Sequence, residues 1–426
     1  MNLFGTRINS VRMRRKFEAQ ESTPASIAIL IQGVLVCLFV LHFLALSWYF
    51  GVDYAPRISW ISNDGAWDQQ YSFGNHYFSD YLQIWVSSKD SNWMPSNIYP
   101  PFAVLIIKAF TWIPYKLSLI FYLSTLAICT LLPIYLVNKK RDISTQVAFL
   151  IIFGIFSVPF ISIIDRGNII GILPLLFYFA LTCSHKKPLV IGFLVGLIAA
   201  IKVYPLVFIL FFPKVIRLRA GLVALFTFLS LNLAAAFFWG NPWAISKSIL
   251  SAQKLFIGLN LSGDPMNFSA SSMLLNISNV VLGKESQFSE QISKNYLSIS
   301  LLLLVILLLS AHLGFRRSNP ITFPFLGLYS LQLLPVISYT YTRWWGLVVA
   351  ALLLNNSFMG NKRDLKYEAY IWITVILNMA LLSFNNLNPV SIFPTLAFIC
   401  FLLFCIYDIA LALNKNLFLN STKEFQ

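Results

Sequence analysis

Apolar runs alternate with short polar connectors along the chain from Ser26 to Leu413. Crossing a hydrocarbon core about 30 Å thick takes ~20 apolar residues of helix, so this spacing predicts membrane helices. The first run, Ile27 to Phe50, is long enough to span and no small-residue cleavage site follows it. It reads as a retained helix, not a signal peptide. Further runs cover Leu117–Val137, Ile143–Ile164, Ile169–Cys183, Gly221–Trp239, Tyr296–Gly314, Thr322–Ile337, Trp344–Leu354, Ala369–Leu382 and Ser391–Leu413. Tyr99–Ile113 is shorter, and is expected to be re-entrant or interfacial. Between Lys186 and Lys214 the chain is expected to go out and back in two short segments, with Lys202 near the apex. The fold class expected is all-α: a polytopic helical bundle of about 11–13 membrane segments.

Composition agrees, since 58% of the residues are hydrophobic and 11% charged, with mean hydropathy +0.73. Such values lie outside the soluble globular range. A net charge of +15 would suit a nucleic-acid binder if the cations formed one surface. Instead they sit in short connectors: Arg12–Lys16, Lys139–Arg141, Lys186 and Lys187, Lys214–Arg219, Arg316 and Arg317, Lys362–Lys366. That distribution follows the positive-inside rule and assigns these connectors to the cytoplasm. The domain reading follows: a cytoplasmic segment at 1–25, one transmembrane domain at 26–413 and a cytoplasmic tail at 414–426. Loops 51–98 and 240–295 fall on the outer side. The five cysteines lie within or at the end of apolar runs without CxxC spacing, and read as packed thiols.

Chemistry enters at the interruptions. Arg166 is followed by Gly167 and Asn168, and Lys202 is followed by Tyr204 and Pro205. A cation at bilayer depth is costly unless it has a partner or a wet cavity. Irregular polar backbone is tolerated there only where it lines a cavity or is buried in protein. The Arg166–Asn168 break, the Lys202 apex, the Ser338–Arg343 turn and the first loop all thread to the outer side, which implies one outward-facing cavity. Arg166 either pairs with Asp165 or contacts a phosphate or sugar with its fork of donors. Lys202 and Arg343 are cations of the same kind.

Acids are scarce, 16 in all, and Asp53, Asp64, Asp68, Asp80 and Asp90 fall in the first outer loop. Asp80 stands in HYFSDYLQIW, whose aromatics suit a membrane surface and hold the carboxylate over a cavity mouth. A partly buried carboxylate there is a candidate general base. His42 and His312 read as packing or interface residues and His185 as part of a cytoplasmic turn; His76 lies four residues before Asp80. No phosphate loop, dinucleotide fingerprint, HExxH or serine elbow occurs. No cofactor and no metal are expected.

In order along the chain, Asp80-Tyr81, Tyr99-Pro100-Pro101, Arg166-Gly167-Asn168 and a Gly-rich helix ending in Lys202-Val203-Tyr204-Pro205 resemble the GT-C superfamily of glycosyltransferases. The resemblance is strongest to glycosyltransferase family 87, the polyprenol-phosphate-mannose-dependent α-1,2-mannosyltransferases. It is more distant to the mannosyltransferase that adds the first mannose of GPI anchors. Ser338–Arg343 lacks the proline and histidine that the family tends to carry, and no Asp-x-Asp pair near Asp80 indicates a metal-bridged donor. The resemblance implies an inverting transfer of a sugar, mannose in the family, from a polyprenyl monophosphate to a glycan or glycolipid acceptor. Asp80 would be the base. Arg166, Asn168, Lys202, Tyr204 and Arg343 would hold donor phosphate and sugar, and Tyr81 and Tyr99 would position substrate. The partners implied are the lipid-linked donor, the acceptor and membrane lipid, with no nucleic acid. The site implied faces the exterior or periplasm of a plasma (inner) membrane. Two other readings stay open: an O-antigen polymerase or ligase using pyrophosphate-linked oligosaccharide, and a lipid-linked sugar transporter or flippase. The halves show no inverted repeat, which weakens the transporter.

Overall fold

The computed structural model describes residues 23–50, 78, 80–82, 85, 99–139, 143–183, 187–240, 243, 269–282, 287–314, 316–335, 340–355, 359, 364–379 and 389–424. Among them every regular element is a helix. The helices are α1 (Thr23–Phe50), α2 (Pro101–Phe110), α3 (Tyr115–Asn138), α4 (Ile143–Phe149), α5 (Val158–Arg166), α6 (Leu173–Thr182), α7 (Pro188–Ile201) and α8 (Lys214–Phe238). They continue with α9 (Ala270–Leu282), α10 (Gln287–Lys294), α11 (Tyr296–Leu313), α12 (Thr322–Leu333), α13 (Trp345–Leu354), α14 (Leu365–Met379) and α15 (Pro389–Glu424). Short 3-10 turns cover Ile169–Ile172, Tyr204–Phe211 and Thr340–Trp344, and a π turn covers Leu150–Ile155. Most of loop 51–98, with Asp53, Asp64, Asp68, His76 and Asp90, lies outside the described residues. So does Ser338.

Among the described residues, α3, α8, α11 and the Pro394–Lys415 part of α15 are each long and apolar enough to cross a bilayer. The chain is therefore a helical, multi-spanning membrane protein. Among the described residues one apolar run is broken by a sharp bend. Ile143–Ile164, expected as one span, bends by 67° between its halves. The cause is local: Ser157 caps the second half by accepting from the Phe160 N–H. Pro159 cannot donate a hydrogen bond back into the first half. The helix expected to end at Leu413 instead runs on to Glu424. α2 is ten residues long, about 15 Å, half the hydrocarbon thickness.

At the centre stands α13, all of whose residues are buried. A helix apolar on every side belongs inside a bundle, and α13 is enclosed by α3, α6, α12 and α14. The tightest pair is α7 with α8. A Cβ on Gly192 would lie 2.5 Å from the Ala220 carbonyl oxygen, and one on Gly196 2.5 Å from that of Ala224. Small residues spaced by four let two helix backbones approach closely. This contact fixes α7, and with it Lys202 at its C-terminal end.

Candidate functional site

The site is built where three chain breaks meet the turn that carries Asp80. The first is Tyr99-Pro100-Pro101, which opens α2. Prolines at the start of a helix waste no donor, because those N–H groups have no partner inside the helix. The next N–H, on Phe102, donates to Asn232 Oδ1 of α8 at 3.2 Å. The second break ends α5. Gly167 adopts φ +60 and closes the helix by donating to the carbonyls of Ile163 and Ile164. Asn168 then caps the following 3-10 turn, its Oδ1 accepting from the Ile170 N–H at 3.0 Å. That bond aims the Asn168 amide nitrogen away from the turn.

Asn168 Nδ2 donates to Asp80 Oδ2 at 2.7 Å and to the Tyr99 hydroxyl at 3.2 Å. Arg166 Nη2 donates to Asp80 Oδ1 at 3.2 Å. The two side chains of that ion pair are 18% and 16% exposed, so the carboxylate is mostly withdrawn from water. Both its oxygens are held, and each keeps a lone pair for a further donor. Lys202 marks the third break. α7 stops there because Tyr204-Pro205 begins a 3-10 turn, and Lys202 itself is extended. Its ammonium lies 3.9 Å from the centroid of the Tyr99 ring and feels the charge of Asp80. It makes no hydrogen bond or ion pair among the described residues.

Asp80 is carried by a short helical turn beginning at Phe78, a residue at φ 58. Tyr81 anchors that turn. Its ring stacks on Tyr122 at 4.4 Å, and its hydroxyl bonds Ser118 Oγ. Trp85 meets Tyr115 edge-on at 4.9 Å. The residues beneath Asp80 are thus Tyr115, Ser118 and Tyr122, one face of α3 at helical spacing. Sequence reasoning missed all three, although the spacing was a readable signal. A Cβ on Gly167 would lie 3.0 Å from Tyr81 Cβ, so the glycine also admits the Asp80 turn. Gly167→Ala therefore should cost about 1–2 kcal/mol for the left-handed backbone and displace Asp80. Thermal unfolding and turnover should both fall; an unchanged melting temperature would show that the turn relaxes freely.

The structure thus gathers Asp80, Arg166, Asn168, Tyr99 and Lys202 into one cluster. Arg166 takes Asp80 as its partner across 86 positions of sequence. Tyr81, with 0% exposure, faces the aromatic stack and not an open space. The Tyr204 hydroxyl is buried near the Trp344 indole without an aligned hydrogen bond. Arg343 stands elsewhere: it is 1% exposed and donates to the Asn378 carbonyl at 3.1 Å. That carbonyl belongs to the last turn of α14, whose free acceptors a cation satisfies. Beside it, Trp345 Nε1 donates to Gln332 at 2.5 Å. Arg343 therefore belongs to a core polar network of α12, α13 and α14. The described residues hold no group of acids, histidines and cysteines able to bind a metal.

The sequence profile of glycosyltransferase family 87 matches residues 97–338, more than half of the chain. The chain belongs to glycosyltransferase family 87. Comparison with curated proteins and with solved structures gives no significant match. The matched region of this family 87 glycosyltransferase contains Tyr99, Arg166, Asn168, Lys202 and Tyr204. Asp80 lies before it, and joins the cluster through the side chains of Arg166 and Asn168.

Proposed function

We propose that this glycosyltransferase moves a sugar, mannose by family resemblance, from a polyprenyl monophosphate to a hydroxyl of a glycan or glycolipid acceptor, on the outer side of the membrane. The observation that carries the reading is one carboxylate held by Arg166 and Asn168, with the Lys202 ammonium, which makes no ion pair among the described residues, across the Tyr99 ring. The acceptor O–H gives its proton to Asp80 as its oxygen bonds to the anomeric carbon. On the opposite face the bond from that carbon to the phosphate oxygen breaks, and the electron pair leaves with the polyprenyl phosphate. Lys202 stabilises the added negative charge, a fixed cation aimed at a developing oxyanion. A single displacement inverts the centre, so a β-linked donor gives an α-linked product.

On this reading the two cations differ in role. Arg166 positions Asp80, which its bond to Asp80 Oδ1 supports, and Lys202 meets the phosphate. Tyr99 orients both halves, bonding Asn168 through its hydroxyl and Lys202 through its ring, a contact worth about 0.5–2 kcal/mol. Tyr81 supports Asp80 from below and does not touch substrate.

The test is transfer by purified protein offered radiolabelled polyprenyl-phosphate mannose, polyprenyl-phosphate glucose or a pyrophosphate-linked oligosaccharide. Label should pass from the monophosphate mannose donor to extracted membrane glycan or glycolipid. Transfer from the pyrophosphate donor alone would overturn the reading in favour of a polymerase or ligase. Transfer from the glucose donor alone would keep the mechanism and correct the sugar.

A further inference from the structure

At the end of the bundle that the positive-inside pattern assigns to the cytoplasm, two basic connectors far apart in sequence meet. Arg217 of α8 donates through Nη2 to the His312 ring of α11 at 2.8 Å, and through Nε and Nη2 to the Phe212 carbonyl at 3.0 and 2.9 Å. His312 Nε2 also lies 2.9 Å from the Leu210 carbonyl. Arg317 Nη1 donates to the His312 carbonyl at 3.2 Å, and the Lys214 charge acts on the same ring. The 3-10 turn Tyr204–Phe211 is packed against both α8 and α11, and forms the floor between them.

This cluster is uncompensated. Among the described residues no carboxylate pairs with Lys214, Arg217, Arg219 or Arg317, whereas the adjacent Arg316 does bind Asp364 at 2.8 Å. Helix stability does not explain the cations either, since positive charge at the first turns of α8 opposes the helix dipole. The neighbouring surface says what kind of anion belongs here. Val215, Leu218 and Leu222 are 90%, 72% and 61% exposed, a stripe at helical spacing on a helix long enough to span a bilayer. Arg219 is exposed at the edge of that stripe. A cation set among lipid-facing apolar residues lays its stem on them and lifts its charge to the headgroup level.

We infer that Lys214 and Arg317 bind the phosphate headgroup of an anionic phospholipid whose acyl chains lie on Val215, Leu218 and Leu222, with Arg219 adding charge at the headgroup level from the far side of that stripe. Arg217 is the strut that ties the two helices together and is not a free ligand. The site is at the opposite end of α7 and its 3-10 return from Lys202. The inference does not depend on the donor, and its readout is independent of sugar transfer.

The experiment is native mass spectrometry of the full-length protein released from nanodiscs of equal phosphatidylglycerol and phosphatidylcholine, with inorganic phosphate added in a separate arm. Wild type should retain phosphatidylglycerol over phosphatidylcholine. Each of Lys214→Gln, Arg219→Gln and Arg317→Gln should reduce that preference by about fivefold. Arg363→Gln, in another basic connector, should leave it unchanged and controls for general surface charge. Equal retention of the two lipids by wild type would overturn the site, as would an unaltered preference in the triple variant. Displacement of the lipid by millimolar phosphate would assign the cluster to a soluble anion instead.

Discussion

Asp80→Asn should reduce sugar transfer by about 10²–10⁴-fold, the usual worth of a positioned general base, with membrane insertion and melting temperature close to wild type. The amide keeps the shape of the carboxylate and can still accept from Asn168 or Arg166, so the turn above Tyr122 retains its main contacts. It cannot take a proton from an attacking hydroxyl. Loss of the charge weakens the contact with Arg166, but the amide oxygen left to accept from that guanidinium keeps the cost to the fold small. The variant is therefore best compared with Arg166→Gln. That substitution should lower transfer less, because it unfixes the base and keeps it. Near-normal turnover by Asp80→Asn, in detergent and in liposomes alike, would remove Asp80 from the mechanism. Equal losses from both variants, with a shared drop in melting temperature, would reduce the pair to a structural role.

Lys202→Met carries the second large effect, about 10²–10³-fold in kcat. Methionine keeps the unbranched stem that runs beside Tyr99 and removes the charge proposed to meet the leaving phosphate. The fold should tolerate this well, since α7 is fixed by Gly192 and Gly196 against α8. A partly buried ammonium without a carboxylate partner contributes little to stability. Lys202→Arg should recover part of the rate, because a guanidinium also binds phosphate. The diagnostic is the split between parameters. A cation acting on the developing charge lowers kcat, and one that only binds ground-state donor raises KM with kcat intact. The second outcome would move Lys202 from the chemical step to donor capture.

Part of this was legible in the residues. The Arg166-Gly167-Asn168 break needs no tertiary information: glycine permits the left-handed end of a helix and asparagine caps the next turn. Tyr99-Pro100-Pro101 announces a helix start for equally local reasons. Asp80 could be singled out among its loop acids by its aromatic neighbours. The contact of Arg343 with α14 was not legible, because a cation among aromatics looks alike at a membrane surface and in a buried core. Only the packing of α12, α13 and α14 shows that it serves the end of a helix.

The sequence by itself determined the class: apolar length demands membrane helices, because backbone polar groups in lipid must be satisfied within the segment. It also determined where those helices break, since proline, glycine and the capping residues act on their immediate neighbours. The tertiary structure alone decided the pairing. That Arg166 meets Asp80 depends on a turn 86 positions away, held in place by three side chains on one face of α3. Lys202 reaches the same site because α7 packs on α8 at glycine distance. Such contacts depend on chain segments that share no local constraint, so a linear reading can nominate the residues and cannot join them.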